Sequence, residues 1–346
     1  MSAKIGIAIL GAGRWGTHLV RNFLNRPDAQ LLAIVDPAPD RLETLRDRFE
    51  IAPEITLATD WSHVRQHPQL DAVAIATPAS THYDLISDAL NLGYHVLAEK
   101  PLTLDPDRSD ELCRLAQQQQ RQLFVDHTYL FHPAVKRGQQ AIAEGIIGTP
   151  RYGYATRTHL APVRTDVDAL WDLAIHDLAI FNTWLGQTPT QVEACGRTWL
   201  QPDADSLIGG NGLADLVWVT LRYPDGFEAT IHLCWFNPDK QRRLGVVGTQ
   251  GTLVFDEMQS DCPLTAYYGR MECHQGDRWV PVGQHREAIE VEAAEPLRQM
   301  CDRFLDSVRS QQVSTVSSGW VGAKFVRILT AISESMRQGG CAINIL

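Results

Sequence analysis

Residues 4–16 read KIGIAILGAGRWG, and this stretch decides the fold. KIGIAIL (4–10) is a short, unbroken apolar run, as a strand buried on both faces requires. Gly11-Ala12-Gly13-Arg14-Trp15-Gly16 follows at once and leads into HLVRNFLNR, where apolar residues recur at helical spacing. A G-x-G-x-x-G between a strand and a helix is the phosphate turn of a dinucleotide-binding βαβ unit. Gly11 permits the tight turn, Gly13 lets the backbone approach a pyrophosphate, and Gly16 lets helix and strand pack closely. The helix N-terminus favours the phosphates. Arg14 and Trp15 lie on the same turn and are expected among the cofactor-binding residues.

The pattern continues outward from this turn. LLAIV (31–35), AVAIAT (72–77), YHVLAE (94–99) and QLFVDH (122–127) read as strands. RLETLRDRF (41–49), THYDLISDALNLG and DELCRLAQQQQ alternate with them as helices. Such alternation predicts an α/β domain over residues 1–127 with a parallel, doubly wound sheet. Asp36 ends the second strand, 20 residues after Gly16. A carboxylate there accepts hydrogen bonds from ribose hydroxyls and repels a 2′-phosphate, so NAD is favoured over NADP as the cofactor. Thr77, Pro78 and His82, after the third strand, are expected to border the cofactor.

After Pro133 the pattern changes. PAVKRGQQAIAEG predicts a helix, RYGYATRTHLA a long strand, and the segment around 168–185 a helix ended by Gly186. QVEACGRTWL, LADLVWVTLRY and FEATIHLCWF are strand-like, the last two joined by a PDG turn. In EATIHLCWF, Ala229, Ile231, Leu233 and Trp235 fall on one face of a half-buried strand. RLGVVGTQGTLVFD predicts a further hairpin, and 295–338 returns to helix. Residues 128–346 therefore predict an α+β domain with a large, mostly antiparallel open sheet, its C-terminal helices packing back on the first domain. Its exposed face carries many aromatic and apolar positions, including Trp218, Trp235 and Phe236, so a homodimer or homotetramer through this sheet is expected.

Composition bounds the function. The 346 residues are 44% hydrophobic and 21% charged, typical of a globular chain with a sizeable core. The net charge of −10 and the lack of a Lys/Arg cluster argue against nucleic acid as a partner. No apolar run reaches the ~18 residues of a membrane helix. The seven cysteines are odd in number, widely spaced and without Cys-x-x-Cys, which fits free thiols in a reducing cytoplasm. IGIAILGAG is too short and too glycine-broken for a targeting segment.

Two stretches carry chemistry. In Ala98-Glu99-Lys100-Pro101-Leu102, Lys100 follows an inner strand at the edge where open α/β sheets bind ligands. Its ammonium can donate to a substrate oxygen and favour alkoxide character as hydride leaves. Glu99 and Lys100 also count among the residues expected to border the cofactor. In WDLAIHD (171–177), Asp172 and His176 are i and i+4, on one face of a helix. They read as a metal pair, a structural pair or a catalytic pair. The metal reading lacks a third ligand nearby, and no metal is expected.

These motifs together resemble the glucose-fructose oxidoreductase/inositol dehydrogenase (Gfo/Idh/MocA) family, over nearly the whole chain. The resemblance rests on GAGRWG, on TPASTHYDLISDALNLGYHVLAEKPL, and on DVDALWDLAIHDL. It implies an N-terminal Rossmann domain followed by a substrate and oligomerisation domain. It also implies an NAD-dependent dehydrogenase acting on a ring secondary alcohol of a sugar, nucleotide sugar or cyclic polyol. By that resemblance Lys100, Asp172 and His176 are catalytic. His176 takes the hydroxyl proton, Lys100 polarises the reacting oxygen, and Asp172 contacts substrate hydroxyls or orients the site. The family usually has glycine two residues after this Asp, where this chain has Ala174. His127 and Tyr129 follow a strand at the same sheet edge; Arg157, His159, Arg164 and Asp166 precede the Asp172 helix. Of these, Tyr129, Arg157 and Arg164 are expected to contact substrate, the arginines holding a phosphate or carboxylate. The alternatives are a non-catalytic NAD-binding sensor and a reductase of an imine or linear tetrapyrrole.

Overall fold

A strand with no polar side chain has no face to offer water, and β1 (Ile5–Leu10) is buried at every position. In the computed structural model, which describes residues 4–345 except 25, 161, 206–210, 275 and 277, it stands inside a six-stranded parallel sheet. The other strands are β2 (Ala29–Val35), β3 (Thr56–Ala58), β4 (Ala72–Ile75), β5 (His95–Ala98) and β6 (Leu123–Val125), in the order β3-β2-β1-β4-β5-β6. Helices α1 (Arg14–Phe23), α2 (Pro39–Phe49), α3 (His82–Asn91) and α4 (Pro106–Gln118) make the crossovers. This is the doubly wound order in which chain direction reverses beside the first strand, leaving a crevice at the carboxyl ends of β1 and β4. The expected helix HLVRNFLNR is α1, although residue 25 lies outside the described residues.

The chain divides into two compact units, Met1–Thr128 with Leu297–Val326, and Tyr129–Pro296 with Arg327–Leu346. The first unit thus extends beyond 1–127 by taking in most of α7 (Pro296–Ser310) and the start of α8 (Gly319–Arg337). Phe304 of α7 packs edge-on against Phe124 of β6, with ring centroids 5.9 Å apart. The Val125 amide donates to the Ser317 carbonyl at 2.9 Å, and the Ser317 hydroxyl donates to the Val125 carbonyl at 2.7 Å. These bonds satisfy the outer edge of β6, which would otherwise stand unpaired.

The second unit starts with α5 (Pro133–Ala143) and carries a nine-stranded sheet. Its strands are β7 (Pro150–Leu160), β8 (Gln191–Arg197), β11 (Leu216–Arg222), β12 (Glu228–Cys234), β13 (Phe236–Gly248), β14 (Gly251–Asp256), β15 (Leu264–His274), β16 (Arg278–Ala288) and β17 (Ile343–Asn344). A separate pair is formed by β9 (Gln201–Asp205) and β10 (Asn211–Leu213). The long sheet runs β16-β15-β14-β13-β7-β12-β11-β8-β17, and only the β7–β12 pair is parallel. The PDG turn joins β11 to β12, with Gly226 at φ +85, where a glycine carries no Cβ penalty. The strand expected to run through residue 161 is described only to Leu160, since 161 lies outside the described residues.

One expectation about the outer face is corrected. Trp218 and Phe236 are exposed, and Trp218 stacks on His232 across the strand pair. Trp235 is only 1% exposed. It keeps the inward parity of Ala229, Ile231 and Leu233, so it belongs to the core and adds nothing to an outer apolar patch.

The helix expected around 168–185 is two kinds of helix. Leu170–Ala174 forms a π turn, and α6 (Ile175–Leu185) continues it to Gly186, the left-handed cap at φ +63. Inserted turns of this type are frequent at functional sites. The Asp168 carboxylate accepts from the Trp171 amide at 3.1 Å at the start of the turn, and the Trp171 indole donates to Ser333 at 2.9 Å.

Burial pushes the Asp168 carboxyl up to about 7, outweighing the backbone amides of Trp171 and Leu170 that favour its charge. The folded carboxyl therefore holds its proton more tightly than the unfolded one. Its contribution to stability is fully present below the unfolded pKa of 3.8 and is lost as pH rises through about 7. Asp168→Asn keeps an oxygen to cap the turn and cannot ionise. Its unfolding midpoint should rise relative to wild type on going from about pH 4 to about pH 8. A difference between the two proteins that does not change with pH would refute the shift.

Candidate active site

The glycine turn is built by close approach. A Cβ on Gly16 would overlap the Gly11 carbonyl, and Gly11 itself sits at φ +100 against the backbone of Ala76. Gly13 differs, with open space where its Cβ would stand. It is also the N-cap of α1, with no side chain capping the first turn. The first amides of α1 are thus left for an anion, and an α-carbon without substituent faces the space it would fill. Arg14 and Trp15 are exposed on this turn. These features fit the pyrophosphate of a dinucleotide.

Asp36 is 2% exposed and accepts from the Ala12 amide at 2.8 Å and the Ala38 amide at 2.9 Å. It ties the end of β2 to the glycine turn, and each oxygen keeps a lone pair for a ribose hydroxyl. Arg41, mostly exposed, approaches it to 3.5 Å. In the loop after β4, Thr77 is half-buried and Pro78 exposed. His82 is buried, its ring nitrogens 2.8 Å from the Pro101 carbonyl and 3.1 Å from the Thr77 carbonyl. A neutral imidazole donates to one of these carbonyls at a time, and the bond to Pro101 fastens the loop after β4 to the one after β5.

Lys100 leaves the carboxyl end of β5 and is 8% exposed. Its neighbours are acids that the sequence did not single out as a group. Glu99, expected to border the cofactor, is buried with its carboxyl directed at Asp126, which follows β6. His127, next in the chain, is neutral at ordinary pH because burial, with help from the Lys100 charge, pushes it down to about 3. Parallel strand ends bring Glu99 and Lys100 beside Asp126, which lies 27 and 26 residues further along the sequence, and no local signal foretells it.

The second unit holds the other half of the expected constellation. His176 stands at the start of α6 with its ring 4.8 Å from that of Tyr129. Asp172 lies in the π turn, so it and His176 are not spaced as on a regular α-helix. The Trp235 indole donates to Asp172 at 3.4 Å, and Arg164 approaches it to 3.5 Å. Ala174 is fully buried within the same turn.

The polar residues expected to hold substrate have other tasks. Arg157 is buried and donates from two nitrogens to Asp177 at 3.0 Å each, and from the third to the Tyr129 hydroxyl at 2.9 Å. The Tyr129 hydroxyl donates in turn to Glu257, which Arg242 also holds at 2.8 Å. Burial works against the Glu257 charge, but Arg242, Tyr129 and Arg157 together hold its carboxyl below the usual range. Arg157 and the Tyr129 hydroxyl are therefore spent on a buried network behind His176, and neither is left for a substrate anion. Arg164 is clamped by Asp166 at 2.8 and 2.6 Å, so its charge too is largely compensated. His159 is partly buried, and burial followed by the Arg242 charge pushes it down. Among the described residues no group of His, Cys, Asp and Glu is arranged to hold a metal ion.

A doubly wound sheet with a dinucleotide turn, followed by a large open sheet, defines a two-part dinucleotide-binding protein. The comparisons specify the family. Residues 5–127 match the model described as the Gfo/Idh/MocA oxidoreductase family, NAD-binding Rossmann fold, and residues 135–254 match the family's C-terminal domain. The chain belongs to the Gfo/Idh/MocA oxidoreductases. It is 27% identical to the UDP-N-acetylglucosamine 3-dehydrogenase of Acidithiobacillus ferrooxidans, over 88% of each chain. It is 29% identical to the NAD⁺-dependent scyllo-inositol 2-dehydrogenase of Bacillus subtilis, over 75% of this chain and 76% of the relative. An oxidoreductase structure from Magnetospirillum magnetotacticum MS-1 superposes with a TM-score of 0.77 at 30% identity, covering 95% of this chain and all of the other.

The two glycines separate folding from binding. Gly16→Ala should cost about 1–3 kcal/mol or more in stability, because the clash is with backbone and the core cannot yield. Gly13→Ala should leave the unfolding midpoint near wild type but weaken NAD binding about tenfold or more, through lost phosphate contacts. Thermal unfolding and calorimetric titration read the two effects. Unchanged NAD affinity in Gly13→Ala would remove the pyrophosphate from this turn.

Proposed function

We propose that this oxidoreductase oxidises a ring secondary alcohol of a sugar, nucleotide sugar or cyclic polyol to the ketone with NAD⁺. The observation that carries the reading is the buried Lys100 at the carboxyl edge of the first sheet, beside the crevice that the glycine turn opens. A lysine at that edge, shielded from water, donates to the substrate oxygen and favours its alkoxide form. His176 accepts the hydroxyl proton on its imidazole. Asp172, turned by Trp235 and Arg164, contacts a neighbouring hydroxyl and fixes which carbon reacts. NAD⁺, when bound, supplies the acceptor for the hydride that leaves the same carbon. The named activities of the two relatives, on an inositol and on a nucleotide sugar, support this substrate class.

Asp36 supports NAD as the preferred cofactor, since a buried carboxylate at the ribose end disfavours a 2′-phosphate. Arg41, close by and exposed, softens that preference. We also infer that the outer face of the second sheet, with Trp218 stacked on His232 and Phe236 exposed, pairs with a second copy of the chain.

Lys100→Met and His176→Ala should each lower turnover by about 10²–10⁴-fold while leaving the NAD dissociation constant within about twofold. In the same titrations wild type should bind NAD more tightly than NADP. Turnover near wild type in both variants would make the WDLAIHD helix merely structural. Light scattering at micromolar concentration should report an oligomer, and Trp218→Glu should shift it toward monomer. A wild type that is only monomeric would end the pairing proposal.

A further inference from the structure

We propose that Glu99 and Asp126 share one proton and act as a single monoanionic partner that positions Lys100. The observation comes from the ends of two neighbouring strands. β5 and β6 run parallel with Ala98 opposite Val125, so the next residues, Glu99 and Asp126, leave the sheet side by side. The Asp126 amide donates to the Ala98 carbonyl at 2.7 Å, and the Glu99 amide donates to the Ile75 carbonyl at 2.8 Å, which fixes both backbones. The two side chains are 7% and 2% exposed.

One oxygen of each carboxyl group has a donor. The Lys100 amide donates to Glu99 Oε2 at 3.3 Å, and the Thr128 hydroxyl donates to Asp126 Oδ1 at 2.6 Å. The other two oxygens, Glu99 Oε1 and Asp126 Oδ2, are buried and receive no donor. An ionised carboxylate only accepts, so a doubly ionised pair would keep two buried acceptors unsatisfied. A single proton between the groups turns one of them into a donor to the other and answers both vacancies at once.

Charge leads to the same count. Besides each other, the charged group acting on the pair is Lys100, and His127 follows Asp126 in the chain. His127 carries no charge at ordinary pH, for the burial already described. With both acids ionised, two buried negative charges would face one ammonium. With one proton retained, the cluster is neutral, which burial favours. Burial first, and the neighbouring Asp126 second, push Glu99 well up, and burial pushes Asp126 up to about 6. The pair therefore gives Lys100 one counter-charge. It keeps the ammonium directed without drawing it into a two-carboxylate trap. Loss of the last proton at high pH makes the pair dianionic and pulls Lys100 out of register.

The role for Lys100 rests on the reading of that residue given above, whereas the shared proton does not. Infrared spectroscopy of the full chain without substrate tests the proton directly. At about pH 7 the wild type should show the carbonyl stretch of a protonated carboxyl that is missing from both Asp126→Asn and Glu99→Gln, whose amides replace the O–H donor. No such band in wild type, or a band that survives both substitutions, overturns the proposal. The positioning half is read from kinetics on a substrate found by screening. Wild-type kcat should fall at high pH with little change in KM, and Asp126→Asn should lack that fall. An alkaline limb that persists in Asp126→Asn overturns the positioning of Lys100, even with the shared proton intact.

Discussion

The first unit depends on the contact between the α-carbon of Gly16 and the carbonyl of Gly11. Only a residue without a Cβ permits it, and it brings α1 down onto the end of β1 with its first amides uncapped. Asp36 then locks the arrangement from the side by accepting the Ala12 amide. The cofactor end of the sheet is therefore set by backbone geometry and one buried carboxylate, with few side chains involved. That economy leaves the neighbouring strand ends free to hold chemistry, and Lys100 with its two acids occupies the next pair of ends.

The second unit solves a different problem. His176 sits at the junction of a π turn and an α-helix, and it must keep one orientation. Behind it lie Arg157, Asp177, Tyr129, Glu257 and Arg242, a chain of alternating donors and acceptors that reaches from β7 through α6 to the end of β14. Burying such charges is costly unless every member is paired, and breaking a pair is costlier still. The network is therefore a poor place for a substrate anion and a good one for rigidity. The ring of Tyr129, centred 4.8 Å from that of His176, is where the network meets the start of α6.

Much of this was legible in the sequence, for physical reasons. The glycine turn was legible because close backbone approach admits no other residue, and the parallel strands because burial on both faces leaves an unbroken apolar run. Lys100 was marked by its place after an inner strand. Other features carried no local signal. β16 is exposed along most of its length and β15 over its second half, leaving little apolar alternation to betray a strand, and both went unforeseen. The inward turn of Trp235, by contrast, was legible in its parity with Ala229, Ile231 and Leu233, and counting it on the outer face went against that parity. The engagement of Arg157 by Asp177, and of Glu99 by Asp126, depends on which elements pack together, which residue spacing cannot reveal. The π turn, whose Trp171 indole donates to Ser333 far along the chain, carries no local sequence signal either.

The central claim is that the crevice at the carboxyl ends of β1 and β4 receives a hydride taken from a ring carbon, while the hydroxyl proton leaves separately to a protein base. Isotope transfer tests it most directly. The full chain is incubated with NAD⁺ and ring-deuterated polyols and nucleotide sugars, and the reduced cofactor is analysed by mass spectrometry. The account predicts that the productive substrate delivers its carbon-bound deuterium to the nicotinamide, with no label exchanged for solvent hydrogen. Reduced cofactor that lacks the label, or no transfer from any ring alcohol tested, would contradict it.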